Sequence, residues 1–420
     1  MPRKRLELNR PKKPAQPKIG LALAGGGFLG ATYELGALAA LSEAVDGLDL
    51  CKLDSYVGVS AGGFIAACLA NGITVHEMVR MYVEADDGPD SFNPARLLHL
   101  DWPEFRQAIT KLPSNLAAGA QGGFRGLKSG TRTAVWRALE KGLRSLPIGL
   151  LDSSNLEEKL CQLFEKRGRS NDFRNLKTTL RIVATDVELG EPVEFGSAGH
   201  DLVGIAKAVS ASSAVPGLFK PVIIDGRSYV DGALTKTLHA SVALNQGAKL
   251  VLCVNPLVPY GGHRNEHRED GNSVTASLGT VLRQTIRTVI RSRMSVGLEK
   301  YKITHPDAKI VLLEPSRLDA DTFFTDIFSL SGRRRLCEHA YLSTRADLLN
   351  RYEELAPSFV KVGLRLNREI LQQENLSLVR ADRSQDQAWV SKGKLGRAQK
   401  ELILSLDDLQ RHLRLRKLMA

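Results

Sequence analysis

Residues 18–24 form an apolar run of strand length, and the glycine-rich positions 25–30 interrupt it. From Tyr33 to Ala44 the chain is rich in Ala and Leu, which predicts a helix. Tyr56–Val59 reads as a second short strand and Ala61 to Ala70 as a second helix. Strand, glycine-bearing turn and helix thus occur twice within the first 70 residues. That alternation predicts a parallel sheet with crossover helices. Strand-like runs resume at Thr179–Thr185, Pro192–Phe195, Val222–Ile224, Arg227–Asp231, Leu250–Val254 and Lys309–Leu313, with helices predicted over 203–213, 236–246 and 276–301. From about residue 320 the pattern is helical, and no internal repeat is visible.

Residues 85–150 break the pattern. They mix Pro, Gly and basic residues with Trp102, Phe105, Phe124 and Trp136 and contain no strong strand. The segment reads as an insertion or lid over a site, or as a helical satellite packed on the body. The first 17 residues hold four prolines and read as a disordered tail.

Composition narrows the class. With 420 residues, 43% apolar and 25% charged, the chain has the proportions of a soluble globular protein. This excludes a collagen-like repeat, a disulfide miniprotein and a wholly disordered chain. Cys51, Cys68, Cys161, Cys253 and Cys337 are scattered, without a C-x-x-C pair or a Cys/His cluster of zinc spacing. They read as reduced thiols of a cytoplasmic protein, with no structural metal site. The basic start followed by Ile19–Ala24 resembles a leader only superficially, because Gly25-Gly26-Gly27 and Glu34 end the apolar stretch at once. A buried strand entering a functional loop explains it better.

The formal net charge of +12 sits almost wholly at the two ends. Residues 1–18 hold seven Lys/Arg against Glu7, and residues 391–420 hold eight against Glu401, Asp407 and Asp408. No nucleic-acid-binding pattern accompanies the charge, so no nucleic-acid partner is expected. Basic tails on a nearly neutral body suit a peripheral contact with anionic lipid. Leu402, Leu406, Leu409 and Leu413 also fall on one helical face of the second tail. A solvated tail with a small packed helix accounts for the same pattern. Arg283, Arg287 and Arg291, at helical spacing, read as a solvated face or a phosphate contact.

Three motifs bear on chemistry. Gly25-Gly26-Gly27-Phe28-Leu29-Gly30 lies between a strand and a helix, where bare backbone can aim N–H groups at a phosphate or an oxyanion. Gly25, Gly27 and Gly30 also satisfy G-x-G-x-x-G, with Asp46 and Asp49 downstream, so a dinucleotide enzyme stays open on this loop alone. Gly58-Val59-Ser60-Ala61-Gly62 is a G-x-S-x-G between strand and helix, the setting that exposes a serine nucleophile at a helix N-terminus. A plain helix N-cap is the other use of such a serine. The third is Asp231-Gly232-Ala233. A serine needs a base. His200 and His239 are the least implausible histidines for that task, and a buried aspartate can also serve. Asp-Gly is equally common in ordinary turns, so spacing leaves the base open.

In this order, G-G-G-x-x-G, G-x-S-x-G and a distant D-G-[GA] resemble the patatin-like phospholipases, and Ala211–Phe219 resembles the segment that family carries ahead of its aspartate. The resemblance spans residues 18–315. It implies a three-layer α/β/α sandwich with a mainly parallel central sheet, and the helical pattern over 316–390 and the basic tail 391–420 extend the chain beyond it. It also implies hydrolysis of fatty-acyl esters of phospholipids or lysophospholipids, with Ser60 as nucleophile and Asp231 as base. Gly25, Gly26 and Gly27 would form the oxyanion hole, with Gly30, Gly58, Gly62 and Gly232 supporting the motifs. No metal or cofactor is implied, and the 85–150 segment becomes a candidate acyl-chain channel or lid. The family usually has Arg or Lys where Leu29 stands, which puts head-group preference in doubt. Acyl transfer through the same acyl-enzyme, and a non-catalytic lipid-binding protein on the same fold, are the alternatives.

Overall fold

In the computed structural model of the chain, residues 17–84, 92, 99–100, 151–261, 278–319, 322, 330–373 and 376–378 are described. The two basic tails and nearly all of the 85–150 insertion lie outside these residues. The chain divides into compact units Met1–Glu374 and Asn375–Ala420, and the first contains everything that follows.

Its centre is an eight-stranded sheet. The strands are β1 (Lys18–Leu23), β2 (Ser55–Val59), β3 (Thr179–Asp186), β4 (Pro192–Phe195), β5 (Val222–Ile224), β6 (Arg227–Asp231), β7 (Ala248–Val254) and β8 (Lys309–Leu313). Hydrogen-bonded neighbours run β8-β7-β1-β2-β3-β6-β5, and β4 pairs with β3. The β8-β7-β1-β2-β3 portion is parallel, whereas β4, β5 and β6 join antiparallel.

Helices cover both faces because the parallel strands are buried on both. On one face Ala22, Val57, Val59, Val183, Val251 and Cys253 pack with α6 (Ala240–Asn245) and with Met294, Leu298 and Tyr301 of α7 (Leu278–Thr304). On the other lie α1 (Gly27–Ala44) and α2 (Ala61–Ala70), the latter against the Leu23 side chain. Three further helices complete the numbering up to α7: α3 (Val75–Met78), α4 (Ser154–Phe164) and α5 (Ile205–Ser212). After β8 follow α8 (Leu330–Asn350), α9 (Tyr352–Val360) and α10 (Arg368–Gln372). The fold is the three-layer α/β/α arrangement with a mainly parallel sheet.

α1 is mostly apolar and is buried all round from Leu29 to Leu41, as a helix inside a core must be, with Thr32 and Glu34 its polar residues there. α8 supplies its outer cover. A Cβ on Gly36 would stand 2.3 Å from the Cys337 carbonyl oxygen, so the two helices approach at backbone distance. Glu43 at the end of α1 pairs with Arg345 at 2.7 Å and accepts from the Tyr341 hydroxyl.

Two local readings change. α1 begins at Gly27 rather than near Tyr33, so the end of the glycine loop is the first turn of the helix. Glycine's poor helix propensity hides this start, which tertiary contact imposes: Cβ atoms on Gly26 and Gly30 would meet Pro256 at 2.9 and 3.1 Å. The arginine row of α7 is also no simple solvated face. Arg287 is buried with its guanidinium on the Val258 carbonyl at 3.1 Å, and Arg291 pairs with Glu314 at 3.1 Å. The side chain of Arg283 lies outside the described residues.

Candidate active site

Ser60 follows β2 directly and takes φ 52° and ψ −122°, a left-handed conformation that costs a non-glycine residue roughly 1–3 kcal/mol. Its neighbours explain how the turn closes so sharply. A Cβ on Gly58 would lie 2.4 Å from the Gly62 carbonyl oxygen, and one on Gly62 would lie 2.6 Å from that of Ala24. Strand, elbow and α2 therefore pack backbone to backbone, and the Gly62 amide donates to Ala24 at 3.2 Å. The elbow is also pinned from α5. The Ser60 amide donates to the Ser212 hydroxyl at 2.8 Å, which donates in turn to the Val183 carbonyl at 2.6 Å.

The register of β3 brings Asp231 to the same place. β2 pairs with β3 over Thr179–Val183, ending with Val59 opposite Val183. β4 occupies the other edge, pairing over Ile182–Thr185. β6 pairs over Ala184–Asp186 and overlaps β4, so it must share the edge used by β2. It runs the opposite way and ends with Asp231 opposite Ala184. Two strands thus meet end to end along one edge, and the residues at their junction are Ser60 and Asp231. Gly232 continues the close fit, since a Cβ there would lie 2.2 Å from the Val183 carbonyl oxygen.

At the junction the Ser60 side chain stands near enough to the Asp231 carboxylate to lower its pKa, and the Ala233 amide donates to Asp231 Oδ1 at 2.8 Å. Ser60 and Asp231 are both buried, at 3% and 5% exposure. Burial raises the Asp231 pKa to about 6, against the downward pull of the Ala233 amide and of Ser60. The carboxyl is therefore ionised at neutral pH yet more basic than an exposed aspartate.

The glycine loop lies against the pair. A Cβ on Gly25 would be 3.3 Å from Ser60 Cβ and 3.5 Å from Ala233 Cβ. The N–H groups of Gly25, Gly26 and Gly27 have no acceptor among the described residues, and they lead into the N-terminal end of α1. Such groups attract negative charge. Gly27 is in the left-handed region at φ 59° with open space where a side chain would be.

The histidines stand apart from this arrangement. His239 is buried at the start of α6, where burial first, then Lys236, lowers its pKa to about 3 and keeps it neutral. The His200 ring meets Phe195 edge-on at 6.3 Å. Among the described hydrogen bonds neither ring reaches Ser60. No group of three or more His, Cys, Asp or Glu is placed to hold a metal ion among the described residues.

Several supporting residues escape a reading of the sequence. The Phe28 carbonyl accepts from Tyr82 at 3.1 Å and from Thr32 at 2.9 Å, which anchors the loop just after Gly27. Leu29 is buried. The guanidinium of Arg333, wholly buried in α8, exerts its field on Tyr82. Thr32 is one helical turn from Phe28 and could have been found. Tyr82, Ser212 and Pro256 reach the site from far along the chain, with no local pattern to mark them.

Comparison with known proteins places the chain. A model of the patatin-like phospholipase family matches residues 21–244, which include the glycine loop, Ser60 and Asp231. An uncharacterized protein of Acanthamoeba polyphaga mimivirus is 24% identical over 246 residues, covering 57% of this chain and 65% of that protein. The chain thus spans just under two thirds of that relative's length. Among solved structures, VipD from Legionella pneumophila is 15% identical, covering 79% of this chain and 66% of VipD, with a TM-score of 0.35. The type III effector ExoU is 17% identical, covering 95% and 63%, with a TM-score of 0.35. ExoU in its heterodimer with SpcU from Pseudomonas aeruginosa is 18% identical, covering 91% and 68%, at 0.23. The family model takes in more than half of the residues, from within β1 to within α6, and the chain belongs to the patatin-like phospholipase family.

Proposed function

We propose that the chain hydrolyses fatty-acyl esters of phospholipids or lysophospholipids through a Ser60–Asp231 dyad. The observation that supports this reading most directly is the meeting of Ser60 and the buried Asp231 carboxylate at the junction of β2 and β6, beside glycine N–H groups without an acceptor among the described residues. Asp231 takes the hydroxyl proton as Ser60 Oγ attacks the ester carbonyl carbon. The oxyanion that forms accepts hydrogen bonds from the amides of Gly25, Gly26 and Gly27. Collapse of the intermediate expels the alcohol, to which Asp231 returns the proton, and leaves Ser60 acylated. Water then attacks the acyl-enzyme with Asp231 again as base, releasing the fatty acid. The lysine- and arginine-rich segments 1–17 and 391–420 add attraction to anionic lipid, which makes the protein a peripheral one at such surfaces.

The test is turnover of a short and a long p-nitrophenyl ester by the wild type, Ser60→Ala and Asp231→Asn, alongside labelling with a fluorophosphonate. The wild type should turn over and label. Both variants should lose about a thousandfold or more in kcat. Retention of the wild-type rate by Asp231→Asn would remove it as the base.

A further inference from the structure

Strand direction fixes which loops surround Ser60. β3 runs parallel to β2 and continues past the Val59–Val183 pair to Asp186, so the turn at 186–191 stands beyond the level of Ser60. β6 pairs Tyr229 with Asp186, which carries the β5–β6 turn at Asp225 and Gly226 further out still. The Val187 amide donates to the Ser228 carbonyl at 2.9 Å and ties the first of these turns to β6. The loop after α5 joins at the level of the dyad, where the Asp231 amide donates to the Ala214 carbonyl at 2.9 Å.

At this end of the sheet Val187, Leu189, Val215, Leu218, Ile223 and Leu234 are between 39% and 58% exposed. They are six of the fourteen large apolar side chains exposed among the described residues. Single exposed apolar residues are ordinary, whereas a group gathered around a site marks an interaction surface. The charges between them are mixed in sign, with Glu188, Glu191 and Asp225 against Lys220 and Arg227. Arg227 is already paired with the buried Asp186 carboxylate at 3.0 Å. This end therefore offers apolar contact without a net attraction for anions, unlike the basic segments at the chain ends.

We propose that this rim is the surface on which the protein seats against a zwitterionic phospholipid aggregate, so that an acyl ester reaches Ser60 from the lipid phase. The proposal rests on the hydrolase reading above and adds the physical state of the substrate. Binding through apolar insertion scales with the apolar area buried and withstands salt. Attraction of basic segments to lipid is screened at high ionic strength.

The full chain carrying Ser60→Ala is sedimented with phosphatidylcholine vesicles in about 0.5 M NaCl, where the basic segments are screened. Leu189→Glu and Ile223→Glu are then added together, since Leu189 lies on the turn between β3 and β4 and Ile223 on the edge strand β5, both more than half exposed. The Ser60→Ala chain should pellet, and the added pair should weaken its partition at least tenfold. In the Ser60 chain the same pair should leave turnover of monomeric p-nitrophenyl butyrate within about twofold, which also reports correct folding. It should cut hydrolysis of vesicle phosphatidylcholine about tenfold. Equal pelleting with and without the two substitutions overturns the proposal, as does no pelleting at all. A dimer that the substitutions dissociate while vesicle binding stays constant assigns the rim to a second copy and also overturns it. Pelleting that depends on the pair in a protein that turns over no ester upholds the surface and overturns the hydrolase reading.

Discussion

Asp231 is the residue whose chemistry and stability pull in opposite directions. Its folded pKa of about 6 exceeds the ~3.9 expected in an unfolded chain. The folded state therefore favours the protonated form. The stability this contributes is fully present below about pH 3.9 and is lost as pH rises to about 6. At neutral pH the ionised carboxylate is a net burden on the fold that the proposed reaction needs. Asp231→Asn should accordingly be more stable than the wild type at pH 7.5 by on the order of 2 kcal/mol, and no more stable at pH 4, as read by thermal unfolding. If Asp231 is the base, as proposed, kcat/KM should fall on the acid side of about pH 6, where the carboxylate becomes protonated.

Among the elements, the elbow and the glycine loop use glycine for different reasons. Gly62 is needed for closeness, because a Cβ would press on the Ala24 carbonyl and on Leu23 at 2.6 Å, both inside the β1–α2 contact. Gly27 is needed for its dihedral angle alone, since nothing stands within 4 Å of its missing Cβ. Gly62→Ala should therefore cost about 2–3 kcal/mol by overpacking, whereas Gly27→Ala should cost about 1 kcal/mol of backbone strain. Chemical denaturation of the two variants measures the difference. α1 illustrates a second use of tertiary context. Burial pushes the Glu34 carboxyl well above the usual carboxylate range, against the backbone at Ala24, which favours its neutral form within the core.

Across the whole molecule, function and fold draw on different stretches of chain. The family match ends at residue 244, yet the outer cover of α1 comes from α8, at 330–350. Charge is divided in another way again. The basic residues of 1–17 and 391–420 lie outside the described body, whose rim around Ser60 is apolar and mixed in sign. The two surfaces should differ in their response to salt, the basic segments losing their attraction and the apolar rim keeping its own. Removal of both segments should reduce pelleting on anionic vesicles at low ionic strength, each Lys or Arg near such a surface adding ~1 kcal/mol before the tail is ordered. Sedimentation of the full and shortened chains on anionic vesicles measures this, and equal pelleting of the two removes the tails from membrane binding. No helix among the described residues is long and apolar enough to cross a bilayer.

The local patterns were legible without a structure. Apolar runs bounded by glycine located the strands to within a few residues, because a strand buried on both faces has little choice of composition. The elbow could be read from Gly58, Ser60 and Gly62, since a sharp strand–helix turn admits few residue types. Spacing by itself left the base open between Asp231 and a histidine, and only the family resemblance pointed to Asp231. Why Asp231 stands beside Ser60 is tertiary, since it depends on the register of β2 and β6 on one edge of β3. Tertiary structure also decided that α1 starts within the glycine loop, that Arg287 turns inward and that Ser212 holds the elbow. Each of these depends on contacts between residues distant in sequence, and periodicity records only what neighbours along the chain share.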